Sequence, residues 1–313
     1  MSGRNKIALI GAGQIGGILA LIATQKELGD LVLVDLPALE SKVRGKVLDL
    51  LALRPHDGYD VELAASGEFA AIAGADLVIV TAGVPRRPGM SREDLLETNL
   101  GIIREVARQV ARHAPDAFVI LTTNPLDAMI YAFHQASGLP GRQLVGMAGA
   151  LDSGRFRTFI AMETGLSVQD VSALVIGGHG PSMIPLTRTA TVGGVPIDAL
   201  LTEEQIAAIV RRTQGAGTEI VELLGNGSAF YSPAAAVMEM AEACLKDKKR
   251  VIPAAALCQG EYGVDGWFIG VPCVIGAGGV ERVLEFPLTP EERSRFEATL
   301  EAVKRTVAKT GPR

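Results

Sequence analysis

Residues 6–16 read K-I-A-L-I-G-A-G-Q-I-G, a short apolar run followed by three spaced glycines. The run Lys6–Ile10 does not alternate between apolar and polar residues, which is typical of a parallel strand buried on both faces. Gly11 permits a tight turn, Gly13 lets backbone approach a pyrophosphate, and Gly16 lets the next helix pack closely on the strand. The first N–H groups of that helix would face the phosphates. The stretch therefore predicts a dinucleotide-binding turn.

A carboxylate stands where such a fold would contact the ribose of the dinucleotide. The apolar run Leu31–Val34 ends in Asp35, which lies 19 residues after Gly16. A carboxylate at the tip of the second strand can bond the ribose hydroxyls of NAD and would repel the extra phosphate of NADP. The alternative is a turn carboxylate without a ligand. The glycines, the strand and the spacing together favour NAD.

Composition places the chain among ordinary globular enzymes. It has 313 residues, of which 48% are hydrophobic and 21% are charged, with a net charge of −5. This length allows two domains, and the acidic balance argues against a nucleic-acid partner. We expect no membrane partner and a cytoplasmic location, because no apolar run is long enough to span a bilayer and the first strand begins near residue 6. The cysteines at 244, 258 and 273 lack metal-ligand spacing, which predicts reduced core thiols and no metal.

Strands and helices alternate through the first half of the chain. The predicted strands after the first two are Val61–Ala64, Asp76–Val80, Ala117–Leu121 and Leu144–Met147. This alternation predicts an α/β fold with a Rossmann-type doubly wound parallel sheet over residues 1–146. Residues 147–313 are predicted to form an α+β domain that binds substrate and carries catalysis.

The second half has fewer strong signals. The predicted strands are Val171–Ile176, Val251–Leu257 and Phe268–Ile275, the last two in an antiparallel sheet. The predicted helices include Glu203–Leu224 and Pro290–Ala308. Thr289 is expected to cap the second of these.

An arginine-rich segment follows the fourth strand, at the sheet edge where ligands bind in doubly wound folds. Residues 83–92 contain two prolines, two glycines and three arginines, without helical or strand periodicity. One interpretation is an exposed, solvated loop. The other is a lid that brings cations onto an anionic substrate.

Of the four histidines, His179 stands out by its surroundings. It lies in Gly177-Gly178-His179-Gly180, directly after the predicted strand Val171–Ile176. The flanking glycines allow close approach and unusual dihedral angles. A histidine at a strand end suits acid–base chemistry near neutral pH, although a core or loop histidine is the alternative.

Two charged residues upstream share one face of a predicted helix. Asp152 and Arg155 are three residues apart, which could mean no more than a capping carboxylate and an intrahelical ion pair. In a catalytic interpretation, Asp152 orients His179 and stabilises its charged form. Arg155 offers a planar fork that can bind a carboxylate through two hydrogen bonds.

These motifs occur together in one known family. They are Gly11-Ala12-Gly13-Gln14-Ile15-Gly16, Pro85–Arg92, Thr123-Asn124-Pro125, Leu151-Asp152-Ser153-Gly154-Arg155-Phe156, Gly177-Gly178-His179-Gly180, Gly260-Glu261-Tyr262-Gly263 and Ile269-Gly270-Val271-Pro272. With them the chain resembles the lactate/malate dehydrogenase superfamily over almost its whole length. Within it, the chain is similar to the lactate-dehydrogenase-like branch of malate dehydrogenases.

The resemblance implies roles for individual residues. His179 would exchange the C2 hydroxyl proton of the substrate with the help of Asp152, and Arg155 would bind the C1 carboxylate. Arg92 and Asn124 would contact the C2 oxygen. The residues implied to bind NAD are Gly11, Ala12, Gly13, Gln14, Ile15, Gly16, Asp35, Asn99, Thr122, Thr123 and Asn124.

The position that separates the activities of the superfamily falls on Arg86. Lactate enzymes carry a neutral residue there, whereas a guanidinium fits the distal carboxylate of a dicarboxylate such as malate or oxaloacetate. The resemblance thus implies an NAD-dependent malate dehydrogenase of the tricarboxylic acid cycle, as a homotetramer or homodimer. Two alternatives remain: a lactate or other 2-hydroxy-acid dehydrogenase, and a catalytically silent NAD-binding protein. Pro181 departs from the family, which usually has aspartate there.

Overall fold

The computed structural model describes residues 3–84, 92–225 and 227–311. The strands of the first half are β1 (Lys6–Ile10), β2 (Asp30–Val34), β3 (Leu63–Ser66), β4 (Leu77–Val80), β5 (Phe118–Leu121) and β6 (Leu144–Gly146). Its helices are α1 (Gln14–Gln25), α2 (Glu40–Leu51), α3 (Arg54–Asp57), α4 (Arg92–His113) and α5 (Leu126–Ser137).

The second half contains longer helices and shorter strands. Its helices are α6 (Gly149–Thr164), α7 (Glu203–Leu224), α8 (Tyr231–Leu245) and α9 (Pro290–Ala308). Its strands are β7 (Val171–Ser172), β8 (Val175–Ile176), β9 (Ile184–Pro185), β10 (Thr191–Val192), β11 (Val195–Pro196), β12 (Arg250–Gln259), β13 (Asp265–Gly276) and β14 (Gly279–Val283).

The predicted Rossmann-type sheet is confirmed. The first-half strands lie in the order β6-β5-β4-β1-β2-β3 and all pair in parallel. Chain order reverses between β1 and β4, which is the switch point where such sheets bind ligands. Every residue of β4 and β5 is buried, as expected for strands covered by helices on both faces.

The sheet does not stop at the end of the first half. β12 and β13 pair antiparallel, as predicted, but they also extend the main sheet, because Ala255 of β12 pairs with Gly146 of β6. An ideal Cβ added to Gly146 would lie 3.1 Å from the Ala255 Cβ, so this junction is closely packed. Across the described residues the sheet has nine strands. The division into domains at residue 146 stays a prediction.

The single strand predicted over Val171–Ile176 is wrong. The segment forms two short strands in different sheets: β7 pairs with β10, whereas β8 pairs with β9. A uniform apolar run specifies burial, but it does not specify the partner strands, and both partners come later in the chain. β8 leads directly into the glycine-flanked histidine.

The cysteines are reduced and buried, as predicted. Burial raises the pKa of the Cys244 thiol to about 11, so this group is a weak nucleophile at neutral pH. Within residues 3–84, 92–225 and 227–311, no helix combines the length and the apolar character that a membrane span requires.

Candidate active site

The glycine turn between β1 and α1 has the close contacts that require glycine. Gly11 has a φ of +100°, and a Cβ there would lie 2.7 Å from Thr81 Oγ1. A Cβ on Gly16 would lie 2.1 Å from the Gly11 carbonyl oxygen, so only glycine lets α1 start this close to the strand. The predicted roles of these two positions in the turn and in packing therefore agree with the geometry.

The same turn leaves room for an anionic ligand. A Cβ on Gly13 would meet no atom of residues 3–84, 92–225 or 227–311 within 4 Å, and Gly13 and Gln14 are exposed, whereas Ile15 is half-buried. Gly13 is the N-cap of α1, and no side chain of the described residues caps this helix. Open N–H groups at a helix N-terminus suit a diphosphate, so these residues fit a dinucleotide.

Asp35 is fixed against the turn. Its Oδ2 accepts a hydrogen bond from the Ala12 N–H at 2.8 Å, and its Oδ1 accepts one from the Leu36 N–H at 2.8 Å. Each carboxylate oxygen keeps a lone pair that could accept a hydroxyl. The side chain thus stands at the end of β2, where ribose binding was predicted.

Lys46 also reaches the turn and was missed by the sequence analysis. Its Nζ donates to the Gly13 carbonyl at 2.9 Å and to the Ala12 carbonyl. Burial and the nearby Lys42 lower the pKa of Lys46, while Asp35 partly opposes them. One feature of the sequence could have indicated this contact: Lys46 directly precedes Val47, which is buried in α2.

The polar residues after β4 and β5 bind the backbone of the sheet edge. Asn99 is only 1% exposed: its Oδ1 accepts from the Val84 N–H, and its Nδ2 donates to the Asn124 carbonyl at 2.8 Å. The Thr122 hydroxyl donates to the Val80 carbonyl, and the Thr123 hydroxyl donates to the Ala82 carbonyl. Their predicted contacts with NAD stay predictions.

Asn124 is exposed at this edge, and the Asn124–Pro125 peptide bond is cis. Arg86 and the side chain of Arg92 lie outside the described residues, so their predicted roles are unchanged.

The structure brings His179, Asp152 and Arg155 together. His179 Nδ1 lies 2.8 Å from Asp152 Oδ2, and Arg155 Nη1 lies 3.5 Å from Asp152 Oδ1. The side chains of Asp152 and Arg155 are 2% and 11% exposed. The Val175 N–H donates to the Ser153 hydroxyl at 2.9 Å, which fixes α6 against the strand that leads to the histidine. The predicted Asp–His pair is thus present in the structure.

This arrangement prepares His179 for proton exchange. Burial lowers the pKa of His179, but the charge and hydrogen bond of Asp152, together with the charge of Asp127, raise it, and the net pKa lies above its ordinary value. With Nδ1–H donated to Asp152, the neutral ring presents the lone pair of Nε2. Burial lowers the pKa of Arg155, and Asp152 opposes this change. The guanidinium remains a cation at any ordinary pH.

The histidine loop lies beside the sheet edge of the first half. An ideal Cβ on Gly178 would lie 3.3 Å from Oδ2 of Asp127, which follows Asn124 by three residues. The two sets of predicted site residues therefore face one region. In the described part of the chain, no group of three or more His, Cys, Asp or Glu side chains is arranged to hold a metal ion.

Sequence comparison identifies the family. Residues 5–146 match the family model for the lactate/malate dehydrogenase NAD binding domain, and residues 149–311 match that for the lactate/malate dehydrogenase alpha/beta C-terminal domain. The chain belongs to the lactate/malate dehydrogenase family.

Individual family members match over the full length. The malate dehydrogenase of Myxococcus xanthus is 52% identical over 306 residues, covering 98% of both chains. The crystal structure of Cryptosporidium parvum malate dehydrogenase has a TM-score of 0.93 at 43% identity, covering 98% of this chain and 99% of that one. The Cryptosporidium parvum lactate dehydrogenase, solved with lactic acid and nicotinamide adenine dinucleotide, has a TM-score of 0.95 at 44% identity, covering 100% of both chains. The predicted fold class and family are confirmed.

Proposed function

We propose that this chain is an NAD-dependent malate dehydrogenase, which interconverts (S)-malate and oxaloacetate. The observation that carries the proposal is the Asp152–His179 pair beside Arg155. It occurs in a chain that is 52% identical to a malate dehydrogenase over 98% of both lengths.

His179 would carry the proton of the reaction. In oxidation of malate, neutral Nε2 accepts the C2 hydroxyl proton, while Asp152 stabilises the imidazolium that forms. NAD supplies the hydride acceptor when it is bound. In reduction of oxaloacetate, protonated His179 returns the proton to the C2 oxygen. Arg92 and Asn124 would bind that oxygen and stabilise its developing negative charge.

The two carboxylates of the substrate need two cationic partners. Arg155 would bind the C1 carboxylate through its planar fork, and Arg86 the distal one. A dianion enclosed under a lid without a second cation would leave a desolvated, unpaired charge, which is very unfavourable. The identity of residue 86 therefore favours a dicarboxylate.

NAD would lie along the glycine turn and Asp35, with Asn99, Thr122 and Thr123 at the sheet edge. We further propose that the chain divides into two domains at residue 146. We also propose that the protein is a cytoplasmic homotetramer or homodimer and acts in the tricarboxylic acid cycle. Size-exclusion chromatography with light scattering would measure the oligomeric state.

Lactate dehydrogenase is the second candidate. The lactate-binding relative has a TM-score of 0.95, at least as high as that of the malate dehydrogenase neighbour, so the backbone supports both activities equally. The arginine at position 86 counts against lactate, since pyruvate has no distal carboxylate to pair with it.

The test is NADH oxidation with oxaloacetate and with pyruvate, for the wild type and for Arg86→Gln. We expect the wild type to prefer oxaloacetate strongly and the variant to shift toward pyruvate. Arg108→Gln, on the exposed face of α4, is the matched control and should leave the preference unchanged. A wild type that prefers pyruvate would refute the malate proposal. A normal preference in Arg86→Gln would refute only the role of Arg86.

A further inference from the structure

The loop that carries His179 is anchored at its strand end by backbone contacts. The Gly177 N–H donates to the Gly270 carbonyl at 2.8 Å, and the Gly270 N–H donates back at 3.1 Å. A Cβ on Gly270 would lie 2.2 Å from the Gly177 carbonyl oxygen, so this bridge to β13 requires glycine. The bridge fixes Gly177, but it leaves residues 178–182 to be held by other contacts.

Thr299 of α9 forms hydrogen bonds with residues on both sides of His179 in the chain. Its Oγ1 accepts from the Gly178 N–H at 3.1 Å and lies 2.9 Å from Ser182 Oγ. The side chain is 1% exposed, and its methyl group packs against Gly177. One buried hydroxyl therefore joins residues on either side of His179 to a helix that is distant in sequence.

Asp127 of α5 lies beside the histidine loop, since an ideal Cβ on Gly178 would lie 3.3 Å from its Oδ2. Its carboxylate is near the His179 backbone N–H, and its buried Oδ1 has no hydrogen-bond partner within the part of the chain that the structure describes. Burial raises the pKa of Asp127 to about 6, while attraction to His179 opposes this rise. Around neutral pH the Asp127 carboxylate is thus largely ionised, so a second negative charge, besides that of Asp152, lies near His179.

We propose that Asp127 and Thr299 are positioning residues for His179. They hold the 178–182 segment from two different helices, so that the imidazole meets both Asp152 and the substrate. Asp127 in addition contributes a negative charge near the ring. This inference rests on the proposed function, in which His179 exchanges the substrate proton.

Substitutions of Asp127 and of Thr299 should differ in their effect on the pH dependence of malate oxidation. The charged groups that face His179 in the described chain are Asp152 and Arg155 from α6 and Asp127 from α5, whereas α9 contributes the neutral Thr299. Loss of the Asp127 charge lowers the pKa of His179, because that charge favours the imidazolium. Malate oxidation needs neutral His179, so the acid limb of kcat/KM would move to lower pH in Asp127→Asn.

The experiment compares pH profiles of malate oxidation for matched variants. Asp127→Asn keeps an oxygen that can accept the His179 N–H, and we expect a shifted acid limb with a small loss of kcat. Thr299→Val should lower kcat about tenfold or more, since misplaced groups reduce rates steeply, without moving the limb. Thr299→Ser restores the hydroxyl and should recover most of the rate. Thr306→Val is the control, because that hydroxyl donates within α9, to the Ala302 carbonyl, and not to the histidine loop.

The outcomes separate this inference from the proposed function. A wild type that turns over no 2-oxo acid refutes the proposed function before any variant is compared. With an active wild type, an unshifted acid limb in Asp127→Asn overturns the role of Asp127. If Thr299→Val behaves as Thr306→Val does, or loses NADH affinity in proportion to kcat, Thr299 has only a structural role. Should Thr299→Val fail to fold, Thr299→Ser against Thr299→Ala supplies the same comparison.

Discussion

The buried carboxylate of Asp127 should lower the stability of the folded chain at neutral pH. Its pKa rises from 3.8 to about 6 on folding, chiefly through burial. One pKa unit corresponds to about 1.4 kcal/mol, so this shift corresponds to about 3 kcal/mol. Asp127→Asn removes the charge but keeps the shape and a hydrogen-bond acceptor. We therefore expect the variant to be more stable at pH 8 by up to about 3 kcal/mol.

The sign of the pH dependence follows from proton binding. The folded chain binds the Asp127 proton more tightly than the unfolded chain, so the destabilisation develops as pH rises through the interval from 3.8 to about 6. It is complete above that interval and absent below it. The gain from Asp127→Asn should accordingly be about half as large at pH 5 as at pH 8.

The assay is equilibrium urea unfolding at both pH values, followed by the fluorescence of Trp267, the single tryptophan of the chain. Protein concentration must be equal in all samples, because association shifts apparent stability. Asp116→Asn, at an exposed position, is the control for the same change in net charge. A variant that is less stable than the wild type at pH 8, or whose gain is equal at both pH values, would refute the reasoning.

Three further predictions concern other parts of the molecule. The pKa of Glu242 is lowered to about 2, chiefly by its hydrogen bond with Lys248. Glu242→Gln should therefore reduce the free energy of unfolding at pH 7 by about 1 kcal/mol, and this loss should shrink as pH falls below 4.5. Urea midpoints at several pH values measure the effect. Gly16→Ala places a Cβ 2.1 Å from the Gly11 carbonyl oxygen, so it should abolish NADH binding and lower the melting temperature; unchanged NADH affinity would contradict this expectation. Lys46→Met should weaken NADH binding severalfold, and more at low salt than at high salt, whereas Lys46→Arg should retain part of the affinity; fluorescence titration at two salt concentrations tests both.

Local patterns predicted the elements whose signals lie within one segment. The bounds of α7 and α9 agree with the prediction, and α9 begins with a capping box between Thr289 and Glu292. The short strands β7 and β8 were merged into one, and the junction of β12 with β6 was not foreseen. Both features depend on strand partners that are distant in sequence, which hydrophobic periodicity does not specify.

The candidate site likewise combines residues that local sequence patterns indicate with residues that they do not. His179, Asp152 and Arg155 were found because glycines and a helical spacing mark them locally. Thr299 and Asp127 stand at ordinary helical positions, and their importance comes from what they contact. A signal existed for Thr299, since it lies between Phe296 and the buried Leu300 of the same helix, where a polar residue needs a partner.

The pairing of β12 with β6 bears on any attempt to isolate the nucleotide-binding half. A fragment that ended at residue 146 would leave Leu144–Gly146, which are buried in the full chain, as an exposed apolar edge. Its unpaired N–H and C=O groups would be a template for strand addition between molecules. Such a fragment should aggregate unless the border is redesigned with a charge or a covering segment, so the glycine turn is best studied in the intact chain.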